Sequence, residues 1–372
     1  MKIFNRYTYL LAGMITISFL IILIVMPRFE TQEFNKGTVE DIAAGITTTT
    51  ISNSDEDSLP VTSSTSIPEI TETEKTEIEK LLVNNIASEK IENFSTYLLI
   101  GSDERDEETS LSRGFVLGKR ADVIIIGLIS KVSDQHYLLS IPRDTLIINS
   151  CTKVLERINA SYSTNNCGNS IENLAAAVTG MTGLEINHVA SFNFEGFEKI
   201  IDSFNGIEIC VEKTQKEGYS FELQEGCQIV NGSTALNWVV SRNTEVLVGN
   251  KILDANGEDA SEWQRMDGVS DLSRNDRQQY VILELLNKLD KFSSLSELNY
   301  FINTLEDSFI IDENFSLNEA IETLWNLRTI DINKINRLSV NTNPYELDDG
   351  RQVLIISKNF SEYAQEIGLL DS

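Results

Sequence analysis

The chain has 372 residues and carries 57 Asp and Glu against 30 Lys and Arg, a formal net charge of −27. That length admits one large domain or two ordinary ones besides any anchor. The acidic excess and the lack of a DNA-reading motif argue against a duplex-binding protein, which needs a basic face to meet phosphates.

Lys2 and Arg6 precede a charge-free run from Tyr7 to Met26. Twenty residues at ~1.5 Å rise span ~30 Å, the thickness of a hydrocarbon core, so the run reads as one transmembrane helix. Glu30, Glu33, Glu40 and Asp41 follow it. The positive-inside rule then predicts residues 1–6 in the cytoplasm, a single span over 7–26, and an extracellular C-terminal domain beyond the cell membrane. A cleaved signal peptide is the competing reading, but the run is long for one and no small-x-small site follows. Residues 27–90 read as a Ser/Thr/Glu-rich extracellular linker; 45–73 lack any apolar period and cannot order themselves by burial. Within the linker, Ile78, Leu81, Leu82 and Ile86 recur at helical spacing and predict a short entry helix.

The domain is expected over 91–372, with its motifs concentrated in 94–292. Tyr97–Ile100, Val123–Ile129 and Tyr137–Ile141 are short apolar runs, and the polar residues 130–135 predict a hairpin between the last two. Ile171, Leu174, Ala175, Val178 and Met181 recur at helical spacing, and a second helix over Phe194–Phe204 ends at Asn205-Gly206 before a strand over Ile207–Val211. Asn231 starts a helix through Val240. After a polar excursion of about thirty residues, a long helix is predicted from Asp276 to Leu289. Helical patterns over 295–305 and 317–327 and strands near 338–340 and 353–356 continue the domain. Alternating helices and strands predict an α/β fold, a mixed central sheet flanked by helices.

Four cysteines lie in the exported part. Short-range closure favours Cys151–Cys167 and Cys210–Cys227, each contributing ~3 kcal/mol, and an oxidising exterior fits. A four-thiolate zinc site lacks the usual Cys-x-x-Cys pair.

Nine of the fourteen arginines fall between Arg105 and Arg277. Several stand at strand ends or helix starts: Arg120-Ala-Asp122 leads into one strand, Pro142-Arg143-Asp144 ends the next, and Arg242 ends the helix from Asn231. Arg274, Arg277 and Gln278 share a face near the start of the long helix, where free N–H groups and guanidinium forks suit a phosphate. Asp103 follows a strand and Asp122 precedes one, so both carboxylates can meet at one sheet edge and hold Mg²⁺. The only histidines, His136 and His188, sit beside predicted strands and read as structural. The apolar stripes of residues 171–182 and 194–204 suit an ordinary core face as well as an apolar slot, and no slot-lining residue is assigned from them.

The ordered strings YLLIGSDER, KRADVIIIGLIS, LLSIPRDT, ERINASYS, GLEINHVASFNFEGFEKIIDSFNGIEICV, GCQIVNGSTALNWVVSRNTE and DLSRNDRQQ resemble the LytR-CpsA-Psr (LCP) family of cell-wall glycopolymer transferases over nearly all of 94–372. The paired cysteines and the insertion containing Trp263 look most like its actinobacterial members. The resemblance implies an extracellular phosphotransferase that moves a glycopolymer from a polyprenyl-pyrophosphate carrier to peptidoglycan, forming a phosphodiester in cell wall biogenesis. It implies Mg²⁺, or Mn²⁺, on Asp103 and Asp122, and a catalytic set of Arg120, Arg143, Asp122 and Arg274. Arg120, Arg143, Arg242 and Arg274 would clamp the pyrophosphate with Asp271 and Gln278, and Arg105, Arg157 and Arg277 would be further members. Asp122 or Asp271 would be the base. The chain departs from the family pattern at Val240-Ser241-Arg242, where an Arg-x-Arg is usual, and at Ser273 and Asn275, where Gly and Ile are usual. The alternatives are a non-catalytic module that binds polyprenyl phosphate or cell wall, and a membrane-bound transcriptional attenuator, which the external topology and charge oppose.

Overall fold

The computed structural model describes Thr31–Gln32 and residues 76–80, 82, 91–103, 120–149, 151–163, 169–254, 256–257, 259–266 and 271–370. The expected membrane span, most of the expected linker, Arg105 and Cys167 lie outside the described residues, as does the side chain of Asp271. No helix among the described residues is long and apolar enough to cross a membrane.

The centre is a seven-stranded sheet made of β1 (Thr31–Gln32), β2 (Phe94–Ser102), β3 (Ala121–Ser130), β4 (His136–Ser140), β5 (His188–Asn193), β6 (Ile310–Asp312) and β7 (Ile335–Ser339). Its order is β1-β6-β5-β2-β3-β4-β7. The sheet is mixed: β2 runs antiparallel to β3 and β3 to β4, whereas β5 lies parallel to β2 and β7 parallel to β4. Strands β2, β4, β5 and β7 therefore finish at the edge where β3 begins. In open α/β sheets that carboxyl-terminal edge is where ligands bind.

Period-two alternation sorts the side chains between two faces. Leu98, Ile100, Ile124 and Ile126 are fully buried on one face, in a core with α1 (Ser170–Thr182) and Phe360 and Ala364 near the C-terminus. The other face, carrying Tyr97, Leu99, Val123 and Ile129, is roofed by α2 (Phe194–Ser203), α3 (Gly232–Val240), α4 (Asp271–Lys288), α5 (Leu295–Asn303) and α6 (Leu317–Leu327). The helix starts follow from capping chemistry. Asn169, Asn193, Asn231 and Ser294 each accept a first-turn N–H, and Ser316 with Glu319 makes a capping box on α6; each cap stabilises its helix by ~1 kcal/mol. Helix α2 stops at Asn205-Gly206, where φ is 58° and 90° and a Cβ on Gly206 would lie 2.5 Å from the Val230 carbonyl oxygen.

Three local expectations change. The folded body reaches into the expected linker: Ile78 and Leu82 are buried against Leu146, Leu347 and Val353, and Thr31–Gln32 pairs with Ile311–Asp312. Residues 245–248 and 262–265, inside the expected polar excursion, form a hairpin that extends to the strands Gln215–Glu217 and Phe221–Leu223. Helix α4 begins at Asp271 rather than Asp276, which places Arg274 and Arg277 in its first two turns. The Cys210–Cys227 expectation holds, with an S–S distance of 2.08 Å between directly paired residues of the antiparallel strands Ile207–Val211 and Gly226–Val230. Cys151 is likewise disulfide-bonded. A four-thiolate zinc site is thereby excluded, since two of its sulfurs are joined to each other.

Candidate anion site at the mouth of an apolar cavity

The sheet edge where β3 begins carries the first set of predicted residues. A register shift between Gly101 and Ser102 ends the β2–β3 ladder. Beyond it Asp103 and Arg120 clasp each other by main chain and side chain: the Asp103 N–H donates to the Arg120 carbonyl at 3.2 Å, and Asp103 Oδ1 accepts the Arg120 N–H at 3.0 Å. Two residues on, Asp122 Oδ1 accepts Arg143 Nη1 at 2.5 Å. Arg143 stands on the turn after β4, where the Ile141 N–H donates to the Ile124 carbonyl and the Thr145 hydroxyl to that of Pro142.

Arg143 is one link in a line of alternating charges. Its Nε faces Asp144 Oδ2 at 3.6 Å; Asp144 Oδ1 faces Arg157 Nε at 3.3 Å; and Arg157 Nη2 donates to the Gln352 carbonyl at 2.6 Å. Arg143, Asp122 and Asp144 are mostly buried, with 13, 20 and 18% of each side chain exposed. Partly buried pairs of this kind interact more strongly than surface ones, which contribute ~0–1 kcal/mol. Arg274 completes the group from α4. Burial and the charge of Arg143 push its guanidinium down to about 10, while Asp144 and Asp122 oppose the shift. Three guanidiniums then face two carboxylates in a confined place, a positive excess inside an acidic protein that suits an anion with several oxygens.

Helix α4 is fixed over this edge by Gln279, whose side-chain amide donates to the Leu138 carbonyl, Ser140 Oγ and the Leu338 carbonyl at 3.2, 2.7 and 2.7 Å. Gln278, beside it, is buried and faces the space under the roof.

That space is a cavity of about 350 Å³ lined almost wholly by apolar side chains of the sheet and of α2 to α6. Along β3 the lining runs from Val123 to Ile129, about 20 Å at ~3.3 Å per residue. The polar cluster sits at its mouth: Val123 adjoins Asp122, Gly101 precedes Asp103 by two positions, Val240 precedes Arg242 by two, and Gln278 lies one turn beyond Arg274. A Cβ on Gly101 would come 2.8 Å from that of Val123, so only glycine keeps this corner open. Of the two helices whose apolar stripes left slot and core both open, α2 lines the cavity through Phe194, Phe197 and Ile200, whereas α1 packs its stripe into the core on the opposite face.

Two expected members of the clamp have other partners. Arg277 Nη1 donates to the Trp238 carbonyl at 2.5 Å and Nη2 to that of Ser241 at 2.8 Å, over the Trp238 ring; its fork closes the last turn of α3. Arg157 spends its guanidinium on Asp144 and Gln352. Both support the site from behind. Arg242 is exposed on the turn after α3. His136 Nδ1 accepts the Ser130 N–H, and His188 stacks on Phe315 at 4.0 Å beside the buried Asp312. Both are far from the arginines along their strands, as their structural reading requires. Asp144, Arg265 and Gln279 were not singled out from sequence. Asp144 adjoins Arg143 in the quoted Pro-Arg-Asp string, but nothing local signals the partners of the other two.

The two carboxylates at the edge, Asp103 and Asp122, are hard oxygen donors of the type Mg²⁺ takes; Asp103 lies opposite Arg120, two residues before Asp122. Elsewhere among the described residues, the only close group of three potential ligands is Glu208, Cys210 and Cys227, whose sulfurs the disulfide removes.

Fold and site define an α/β protein with an arginine-rich anion pocket leading into an apolar chamber. The chain belongs to the LytR-CpsA-Psr family, whose sequence model matches residues 60–367. It is 28% identical over 233 residues to the polyisoprenyl-teichoic acid–peptidoglycan teichoic acid transferase TagU of Oceanobacillus iheyensis, a match covering 62% of each chain. Less than two thirds of that relative's length is therefore spanned. Among solved structures, an LCP enzyme from Actinomyces oris superposes with a TM-score of 0.54 at 20% identity, over 77% of this chain and 96% of that one. TagT bound to LI-WTA gives 0.52 at 18%, over 74% and 88%. These superpositions establish the fold.

Proposed function

We propose that this chain is an extracellular phosphotransferase, anchored in the cell membrane by residues 7–26, that moves a glycopolymer from a polyprenyl-pyrophosphate carrier to peptidoglycan. The observation that carries the reading is the junction of Arg143, Asp122 and Arg274 with the apolar cavity. An anionic head and a long apolar tail are the two halves of one lipid pyrophosphate, and the names of the relatives agree with such a substrate.

In this reading Arg120, Arg143 and Arg274 hold the diphosphate, with Arg242 and Gln278 at its side. A peptidoglycan hydroxyl attacks the phosphorus that bears the glycan. The new P–O bond forms as the P–O–P bridge breaks, polyprenyl phosphate departs, and the hydroxyl proton passes to a carboxylate, Asp122 or Asp271 being the candidates. Guanidiniums aimed at the bridge and departing phosphate stabilise charge that grows in the transition state, an effect on the order of 10²–10³ in rate per donor. Asp103 and Asp122 would hold Mg²⁺ or Mn²⁺, which supplies further positive charge against the phosphate oxygens. The cavity walls hold the first prenyl units and exclude water from the bridge.

The test uses the full chain in lipid nanodiscs, a lipid-pyrophosphate-linked saccharide and peptidoglycan, with release of polyprenyl phosphate as readout. Release that needs a divalent cation and falls about 10²-fold or more in Arg143→Ala and Arg274→Ala is the expected result. Leu285→Trp, which fills the cavity, should abolish turnover of long-chain lipid. Binding without release would replace the enzyme reading with that of a lipid-binding module, and no binding at all would remove both.

A further inference from the structure

The turn that follows α3 exposes Arg242 and Asn243 between the buried Ser241 and Thr244, and nearly every residue in it is tied down. The Ser241 carbonyl accepts Arg277 Nη2, and the Arg242 carbonyl accepts Arg265 Nη2 at 3.2 Å. The Asn243 N–H donates to Glu217 Oε1 at 3.2 Å. The Thr244 hydroxyl meets Ser241 Oγ at 2.6 Å and accepts Arg277 Nη1 at 3.2 Å, and the Thr244 carbonyl accepts the Met266 N–H at 2.9 Å. Surface turns are ordinarily among the more mobile parts of a fold. Here three segments distant in sequence, 215–217, 262–266 and α4, converge on four residues, and the only one of the four that carries a charge is Arg242.

We propose that Arg277 is a positioning residue: its fork locks the Ser241–Thr244 turn to α4, and so sets Arg242 in register with Arg274, which stands one turn earlier on the same helix. The inference rests on the proposed diphosphate site. Arg277 acts by geometry and not as a ligand, because its two terminal nitrogens already donate to Trp238, Ser241 and Thr244. Arg265 and Glu217 hold the same turn from its outer side. A diphosphate meeting Arg242 then finds a side chain whose backbone is already fixed, which lowers the ordering entropy of binding.

The experiment measures the affinity of the full chain in nanodiscs for geranylgeranyl diphosphate, alongside its melting temperature. Arg277→Ala should raise Kd about tenfold, the size of one lost positioning contact. Arg277→Lys should raise it nearly as much, since an ammonium keeps the charge but cannot span the acceptors. In an Arg242→Ala background, Arg277→Ala should add less than about twofold, because the two act through one another. Thr244→Val removes one arm of the lock without touching a charge; it should raise Kd by about threefold in a protein that still unfolds cooperatively, at a somewhat lower melting temperature, and it carries the test should Arg277→Ala fail to fold. Wild-type affinity in Arg277→Lys, effects of Arg242→Ala and Arg277→Ala that multiply, or a folded Thr244→Val with unaltered Kd would each overturn the inference. A wild-type protein that ignores the diphosphate overturns the functional reading beneath it instead.

Discussion

Arg143 shares each of its neighbours: Asp122 also faces the cavity mouth, and Asp144 also holds Arg157. Its place was legible because Pro142 ends a strand and an arginine directly after it must stand at a sheet edge. The same reasoning found Asp103, Arg120 and Asp122. It did not show that Arg277 turns to Trp238, Ser241 and Thr244, since helical spacing shows which residues share a face but not which neighbour that face meets. Arg274 is buried beside Arg143, and burial and that like charge disfavour its ionised form while Asp144 and Asp122 favour it; on the proposed function a bound diphosphate adds to the favourable side. Arg274→Met should therefore leave the unliganded protein as stable as wild type or more so, while eliminating the rise in melting temperature that geranylgeranyl diphosphate gives; differential scanning fluorimetry checks both halves. His136 offers a pH test. Burial lowers it from the ordinary 6.5, against the pull of Asp134, so the unfolded chain takes up the proton first. The stability it contributes is present above pH 6.5 and is lost as pH falls through the folded value. His136→Gln, which still offers an acceptor to the Ser130 N–H, should flatten the acid limb of a urea-midpoint profile below pH 6.5.

Long elements with caps and a sustained apolar period were readable: α2, α3, α6 and strand Ile207–Val211 stand within a residue or so of their expected ends. The small sheet was not. Its strands are three or four residues long and half exposed, too short for alternation to rise above a polar loop. The cavity was unreadable for a different reason, because the same Phe and Leu spacing on a helix serves a packed core and a hollow one. Helix α4 is the element on which the site depends, and one amide sets its height over the sheet. Gln279→Leu leaves the Leu138, Ser140 and Leu338 oxygens without that donor and should destabilise the domain by about 1–3 kcal/mol, read as a lower urea midpoint at constant slope. An unchanged midpoint would mean that packing alone seats the helix.

Across the whole molecule, the C-terminal segment belongs to the fold's centre. Strand β7 pairs over five residues with β4, Phe360 and Ala364 close the core beneath the sheet, and Leu347, Val353 and Ile355 meet Ile78 and Leu82 from the far end of the described chain. A chain stopped after residue 331 should lack a cooperative urea transition by circular dichroism, because the β4 edge and both hydrophobic clusters would be opened together; a sharp two-state curve would contradict this. The run of alternating ions reaches from Asp122 to the carbonyl of Gln352, so the proposed diphosphate site leans on the strand Gln352–Ile356, which pairs with Thr342–Glu346. Arg143 and Asp144, which each neutralise two others, cannot be retuned singly: altering Arg157, which need touch no ligand, redistributes the field at Asp122, three ions along the run. On the proposed function, the charge balance at the diphosphate thus depends on a part of the chain that does not meet it.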